Sequence, residues 1–174
     1  MLHKGRVNGR RRGMAIQRVH APAAAVWSRI LDFGAWPKMV DNVVSSHVYD
    51  SDGRDIKVEV VIGVSLVKIR TFVHHVYNAE RSCMTWRLDP AHESDVDQNE
   101  GFWAVQEDES DLRWSVVYYS VSLRLKSWAP AWVDKLLAAQ GLPKAVAWVK
   151  RESEARLKRR IQSSPALFRL GQLS

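Results

Sequence analysis

Cysteine is nearly absent from this chain: Cys83 is the only one in 174 residues. A lone thiol excludes an internal disulfide framework and a cysteine-based metal cluster. A reducing, intracellular setting is then the easier reading. Long apolar runs are missing too. No stretch approaches the ~20 residues that span a bilayer as a helix, so the chain reads as soluble or peripheral to a membrane. The sequence also lacks a glycine-rich phosphate cradle, a nucleophile elbow and any metal-ligand spacing, and no cofactor is expected.

What is present is an ordinary globular composition, 46% hydrophobic, with eight tryptophans. That suits one domain with a full-sized core. The net charge of +7 is unevenly placed. Residues 1–20 hold six basic side chains and no acidic ones, and residues 144–174 hold eight basic and two acidic. Residues 21–143 hold 12 basic and 17 acidic. A mildly acidic centre argues against a nucleic-acid face on the core. Met1 to Gly13, with Arg10, Arg11 and Arg12 among glycines, reads as a basic flexible arm. A transit-peptide remnant from a mitochondrion or plastid is the alternative, though the arm has no serine and no amphipathic pattern.

The segment Ala15–Asp41 changes period three times. Ile16 to His20 alternates as a short first strand. Pro22 fits the first helical position. Ala23, Val26, Trp27, Ile30 and Leu31 then make one apolar helical face. Gly34 is placed to stop that helix, and Trp36-Pro37 predicts an extended residue before a second short helix.

Strands follow. They are predicted over 43–49, 55–62, 66–77, 82–88, 101–107 and 112–126, with a hairpin turn at Ser51–Arg54. Residues 89–100 read as an acidic loop. In the last strand the apolar parity moves from Leu112, Trp114 and Val116 to Val121, Leu123 and Leu125. That shift predicts a β-bulge near Val117–Tyr119. From Pro130 the period is helical to about Ile161, with a kink or restart expected at Gly141-Leu142-Pro143. Six strands without intervening helices predict a curved antiparallel meander.

This order of parts resembles the helix-grip fold of the START-like superfamily, which includes polyketide cyclase/dehydrase, lipid-transport and coenzyme Q-binding proteins. The likeness is carried by Val19-His20-Ala21-Pro22 with Val26-Trp27, and by Leu31-Asp32-Phe33 with Trp36-Pro37. Gly101-Phe102-Trp103 and Pro130-Ala131-Trp132 add to it. The resemblance implies an α+β fold, β-α-α-β6-α, whose curved seven-stranded antiparallel sheet wraps a long C-terminal helix. The domain would span 14–164, after the arm at 1–13 and before a tail at 165–174.

It also implies an apolar cavity between sheet and helix. Leu142, Val146 and Val149 would line it from the helix side, and Val58, Val60, Val73, His75, Trp86, Trp103 and Tyr118 from the strands. Ile30, Phe33 and Trp36 would stand near one mouth. Such a lining suits a lipid, sterol, quinone, carotenoid-like or acyl ligand. Trp27, Trp114 and Trp148 read as packing, while Trp86 and Trp103 are divided between packing and ligand contact.

Other candidates weaken on inspection. His74 and His75 are strand neighbours and point to opposite faces, so they cannot share one ion. His75, with Tyr77 and Tyr118, is placed to anchor a ligand's polar head. Asp95 to Asn99 mimics a calcium loop, but Glu100 stands where glycine is needed and Gln106 where a bidentate glutamate belongs. The favoured function is binding, and carrying, a hydrophobic small molecule. The alternative is a cyclase- or dehydratase-like enzyme in the same cavity, with Tyr118 and Arg70 or Arg87 acting on an enol or carbonyl. A third reading is a basic adaptor on membrane or RNA. In either soluble or peripheral form, Lys150, Arg151, Lys158, Arg159 and Arg160 offer contact with an anionic membrane.

Overall fold

The computed structural model describes residues 2–7 and 10–163, with side chains described for 13–133 and 144–159. Its strands are β1 (Leu2–Val7), β2 (Arg10–Val19), β3 (Val43–Ser51) and β4 (Asp55–Val64). They continue with β5 (Val67–Asn78), β6 (Cys83–Leu88), β7 (Val96–Glu107) and β8 (Ser115–Leu125). The helices are α1 (Ala23–Ile30), α2 (Trp36–Met39) and α3 (Ala131–Ser163), with a short 3₁₀ turn at Phe33–Ala35. One antiparallel sheet runs in the order β1-β2-β8-β7-β6-β5-β4-β3. The expected α+β helix-grip architecture is therefore present, with one more strand than expected.

The added strand comes from the stretch read as a basic arm. β1 pairs with the first half of β2, from Leu2 opposite Ala15 to Val7 opposite Arg10. An edge hairpin is held by main-chain hydrogen bonds, so an alternating apolar pattern is not needed to form it. The expected tail at 165–174 lies outside the described residues.

Pro22 precedes α1 as its N-cap and does not take the first helical position. Its carbonyl accepts from the Ala25 and Val26 amides at 2.9 and 3.2 Å. Trp36 is helical (φ −52°, ψ −40°), where the following proline predicts an extended residue. The compensating contact is its indole Nε1, which donates to the Ile30 carbonyl at 3.1 Å. That bond folds the corner back against α1. α3 is a single helix through Gly141–Pro143, with no restart.

Two expectations about the sheet are corrected. β8 keeps continuous register with β2 from Ser115 to Val121, and with β7 along its whole length opposite Gln98–Glu107. It has no bulge at Val117–Tyr119. Its inward parity is odd throughout: Val117, Tyr119, Val121, Leu123 and Leu125 all pack on the core. The apolar even positions belong to the outer face, where Trp114 stacks on His20 at 4.4 Å and under the Arg18 guanidinium at 4.3 Å. The register shift of this pair lies instead between Val96 and Gln98, and residues 96–100, read as loop, begin β7.

α3 packs on β2, β8 and α1. Buried side chains form two clusters along it. Val146, Trp148 and Val149 join the larger one with α1, Phe33 and strands β4 to β8. Val133 joins the smaller, with Val64, Ile69 and Val96. The inner faces of the sheet therefore reach the helix at two places, one near each end of its described part.

Candidate functional site

Strand alternation places His75, Trp86, Trp103 and Tyr119 on the inner face of four adjacent strands. The corner at Phe33–Trp36 and the α3 residue Trp148 complete their surroundings. Seven rings form a closed circuit. Phe33 meets Trp36 at 4.8 Å between centroids, and Trp36 meets Trp148 at 6.1 Å. Trp148 meets Trp103 at 6.3 Å, and Trp103 meets Tyr119 at 4.3 Å. Tyr119 stacks on Trp86 at 5.6 Å, Trp86 meets His75 at 6.1 Å, and His75 returns to Phe33 at 4.8 Å. Trp36 also meets His75 edge-on at 6.4 Å, a contact that crosses the circuit.

Two of the indole nitrogens serve as anchors. Trp86 Nε1 donates to Asn99 Oδ1 at 3.0 Å, as Trp36 Nε1 does to Ile30. One other polar atom of the circuit has no such bond. His75 is 4% exposed and its Nδ1 has no hydrogen-bond partner. Burial pushes its pKa down to about 3, so the imidazole is neutral at physiological pH. Burial likewise pushes the Tyr119 phenol above its ordinary value. Tyr119 nevertheless keeps part of its surface accessible.

The expected lining residues fall as follows. Phe33, Val58, Val60, Val73, Trp86, Trp103, Val146 and Val149 share the larger core cluster, with Trp36 packed against it. His75 touches Phe33, Trp36 and Trp86. Tyr118 does not join them. It sits on the outer face, opposite Ile16 and Ala104, with its hydroxyl 3.4 Å from Gln106. Tyr119 takes the inward place, because the expected bulge is absent. The Leu142 side chain lies outside the described residues.

Trp148, read as packing, is a member of the circuit, and Asn99, read as part of a failed calcium loop, anchors Trp86. The carboxylates of that loop are otherwise engaged. Asp95 accepts the Arg70 amide at 2.8 Å, and Asp97 pairs with Arg124 at 3.5 Å. His74 points outward to Asp55 at 2.6 Å. Neither arginine proposed for an enzyme reaches the rings: Arg70 pairs with Glu59 on the outside, and Arg87 lines a surface groove. That groove, of about 280 Å³, opens where β6 and β7 stop pairing beyond Trp86 and Gly101. It is lined by charged and amide side chains, among them Asp97, Glu100 and Arg124.

A curved sheet gripping one long helix, with an aromatic circuit between them, defines a helix-grip protein. Residues 15–162 match the family described as polyketide cyclase/dehydrase and lipid transport, and the chain belongs to that family. No curated protein matches its sequence. Solved structures of the same fold include the Zhui aromatase/cyclase of Streptomyces sp. R1128, at TM-score 0.71 and 13% identity over 84% of this chain and 95% of that one. A STAR-related lipid transfer protein from Xanthomonas axonopodis superposes at TM-score 0.70 with 14% identity, covering 88% and 92% of the two chains. A START superfamily protein from Mycobacterium smegmatis gives 0.69 and 16%, covering 83% and 97%. Among the described residues, no helix is long and apolar enough to cross a membrane.

Proposed function

We propose that the protein binds, and carries, a hydrophobic small molecule between the inner face of its sheet and α3. The observation that supports this best is the closed circuit from Phe33 through Trp148 and Tyr119 to His75. It brings six aromatic side chains and a neutral histidine to one buried place. Burial of ligand apolar surface there would supply the affinity, at about 25 cal/mol per Å². Lipids, quinones and sterol-like molecules all fit that description. Native mass spectrometry of the purified protein, followed by extraction, tests it. The expected result is an organic mass that leaves with organic solvent, or quenching of tryptophan fluorescence by added apolar probes. Protein that is always ligand-free and blind to every apolar probe would overturn the reading.

A cyclase- or dehydratase-like reaction in the same place has one supporting observation: His75, with its Nδ1 unpartnered, and Tyr119 both stand beside Trp86. Their neutral forms can exchange a proton with an enol or carbonyl. An enzyme would release its ligand changed, and a carrier would release it intact.

A further inference from the structure

One end of the molecule is both apolar and basic. The antiparallel pairings put the β1–β2 turn, the β4–β5 turn and the last residues of β8 at the same end of the sheet. α3 starts there too, since Val133 packs with Val64, Ile69 and Val96. Three apolar side chains stand out from this end. Leu66, at the tip of the tight turn that joins Val64 to its partner Val67, is 98% exposed. Trp128 and Trp132, on either side of the start of α3, are 52% and 47% exposed. A leucine on a turn tip has nothing to bury against in water, and two indoles at the same end enlarge the apolar area left uncovered.

The charge comes from the added hairpin. The family match covers residues 15–162, so β1 and Arg10–Met14 of β2 are this chain's own addition to the shared fold. They carry Lys4, Arg6, Arg10, Arg11 and Arg12, and residues 1–20 contain no acidic side chain. The register sets Arg6 opposite Arg11, one step from the turn. Like charges directly opposite on paired strands repel, and an anionic surface laid against the turn relieves that repulsion. Lys68, exposed beside Leu66 in sequence, adds one more cation. Acidic groups of the neighbouring loop and strand are engaged, Glu93 with Lys126 at 2.8 Å and Asp97 with Arg124 at 3.5 Å. A bilayer of anionic lipid matches both halves of this end. Indoles favour the headgroup level, leucine the acyl boundary, and arginines the charged headgroups. A nucleic acid would meet the charge alone and leave Leu66 in water.

We propose that this end docks on an anionic lipid bilayer, with the β1–β2 hairpin supplying the charge and Leu66, Trp128 and Trp132 entering the interface. The docking does not depend on the ligand-binding function proposed above. Protein that never holds a ligand would leave it standing.

Vesicle sedimentation and tryptophan emission test it, with vesicles of phosphatidylcholine alone and of phosphatidylcholine with phosphatidylserine at about 3:1. The expected result is binding about tenfold or more tighter to the anionic vesicles, weakened by salt and accompanied by a blue shift of the emission. Arg10→Ser/Arg11→Ser/Arg12→Ser should weaken that binding about tenfold or more. Trp128→Ala/Trp132→Ala should weaken it by a similar factor and remove the blue shift. The tryptophan pair is exposed and decides alone if the arginine variant does not fold. Lys158→Ser/Arg159→Ser changes cations at the far end of α3, beyond the Glu154 that accepts the His20 amide. An equal loss from that variant would place the contact at the opposite end and overturn the proposal. No preference for the anionic vesicles, a blue shift that survives loss of both tryptophans, or tighter binding to a polyuridine RNA than to those vesicles at the same salt would each overturn it as well.

Discussion

The indole of Trp86 lies directly over Gly101, its partner on the neighbouring strand. A Cβ on Gly101 would stand 2.4 Å from one indole carbon and 2.0 Å from the Ser120 carbonyl oxygen. Backbone on one side and a large buried ring on the other leave no room for a methyl group. Gly101→Ala should therefore destabilise the fold by about 1–3 kcal/mol or more and displace Trp86 from Asn99. Chemical denaturation and the tryptophan emission maximum read the two effects. An alanine variant with unchanged stability and emission would contradict the close approach.

His75 makes stability depend on pH in a defined window. Its unfolded pKa is near 6.5, and burial lowers the folded value to about 3. Between those values the unfolded chain binds a proton that the folded chain does not, so stability falls as pH drops. The slope from this group approaches ~1.4 kcal/mol per pH unit in mid-window. Above about pH 5, most carboxylates stay ionised and the histidine contribution stands apart. Urea titrations at stepped pH should show the slope in the native protein and a reduced one in His75→Gln.

Trp148 joins α3 to both the corner and the sheet, touching Trp36 and Trp103, and is 3% exposed. Trp148→Ala should cost about 3–5 kcal/mol. Trp132, on the same helix and 47% exposed, provides the contrast. Trp132→Ala should change stability by no more than about 0.5 kcal/mol. Equal effects in paired denaturation curves would refute this division of the helix.

On the outer face, the Tyr49 hydroxyl donates to Asp89 while Phe72 and His92 stack beside it at 4.7 Å. The Ala91 amide and the Tyr49 hydroxyl, in that order, hold the Asp89 carboxyl below its usual range. Tyr49→Phe should remove about 1 kcal/mol and let the Asp89 pKa rise. A double-mutant cycle with Asp89→Asn should show coupling between the two. Additive effects would mean that the bond contributes nothing.

Most of the fold is legible in the chain because its elements differ in hydrophobic period. The alternation in Asp55–Ile62 and the helical spacing around Val146, Val149 and Ser153 lie within elements of those types. β1 was illegible, since it pairs with β2 through main-chain bonds that need no apolar alternation in a stretch of arginines and glycines. The start of β7 was hidden by its own acidity, because edge residues such as Asp97 find cationic partners across the strand.

The site divides in the same way. Period and residue type place His75, Trp86 and Trp103 on inner faces, since alternation depends on the backbone alone. Which tyrosine of β8 faces inward was decided by the outer surface. There Arg18 and His20, far away in sequence, cover Trp114 and make its even parity look like core. The chain by itself determined a curved sheet, a long helix and an aromatic-rich interior, because these follow from local period and composition. Only the tertiary structure closed seven rings into a circuit and chose Tyr119 over Tyr118. Those contacts join four strands, a corner and a helix that lie far apart along the sequence.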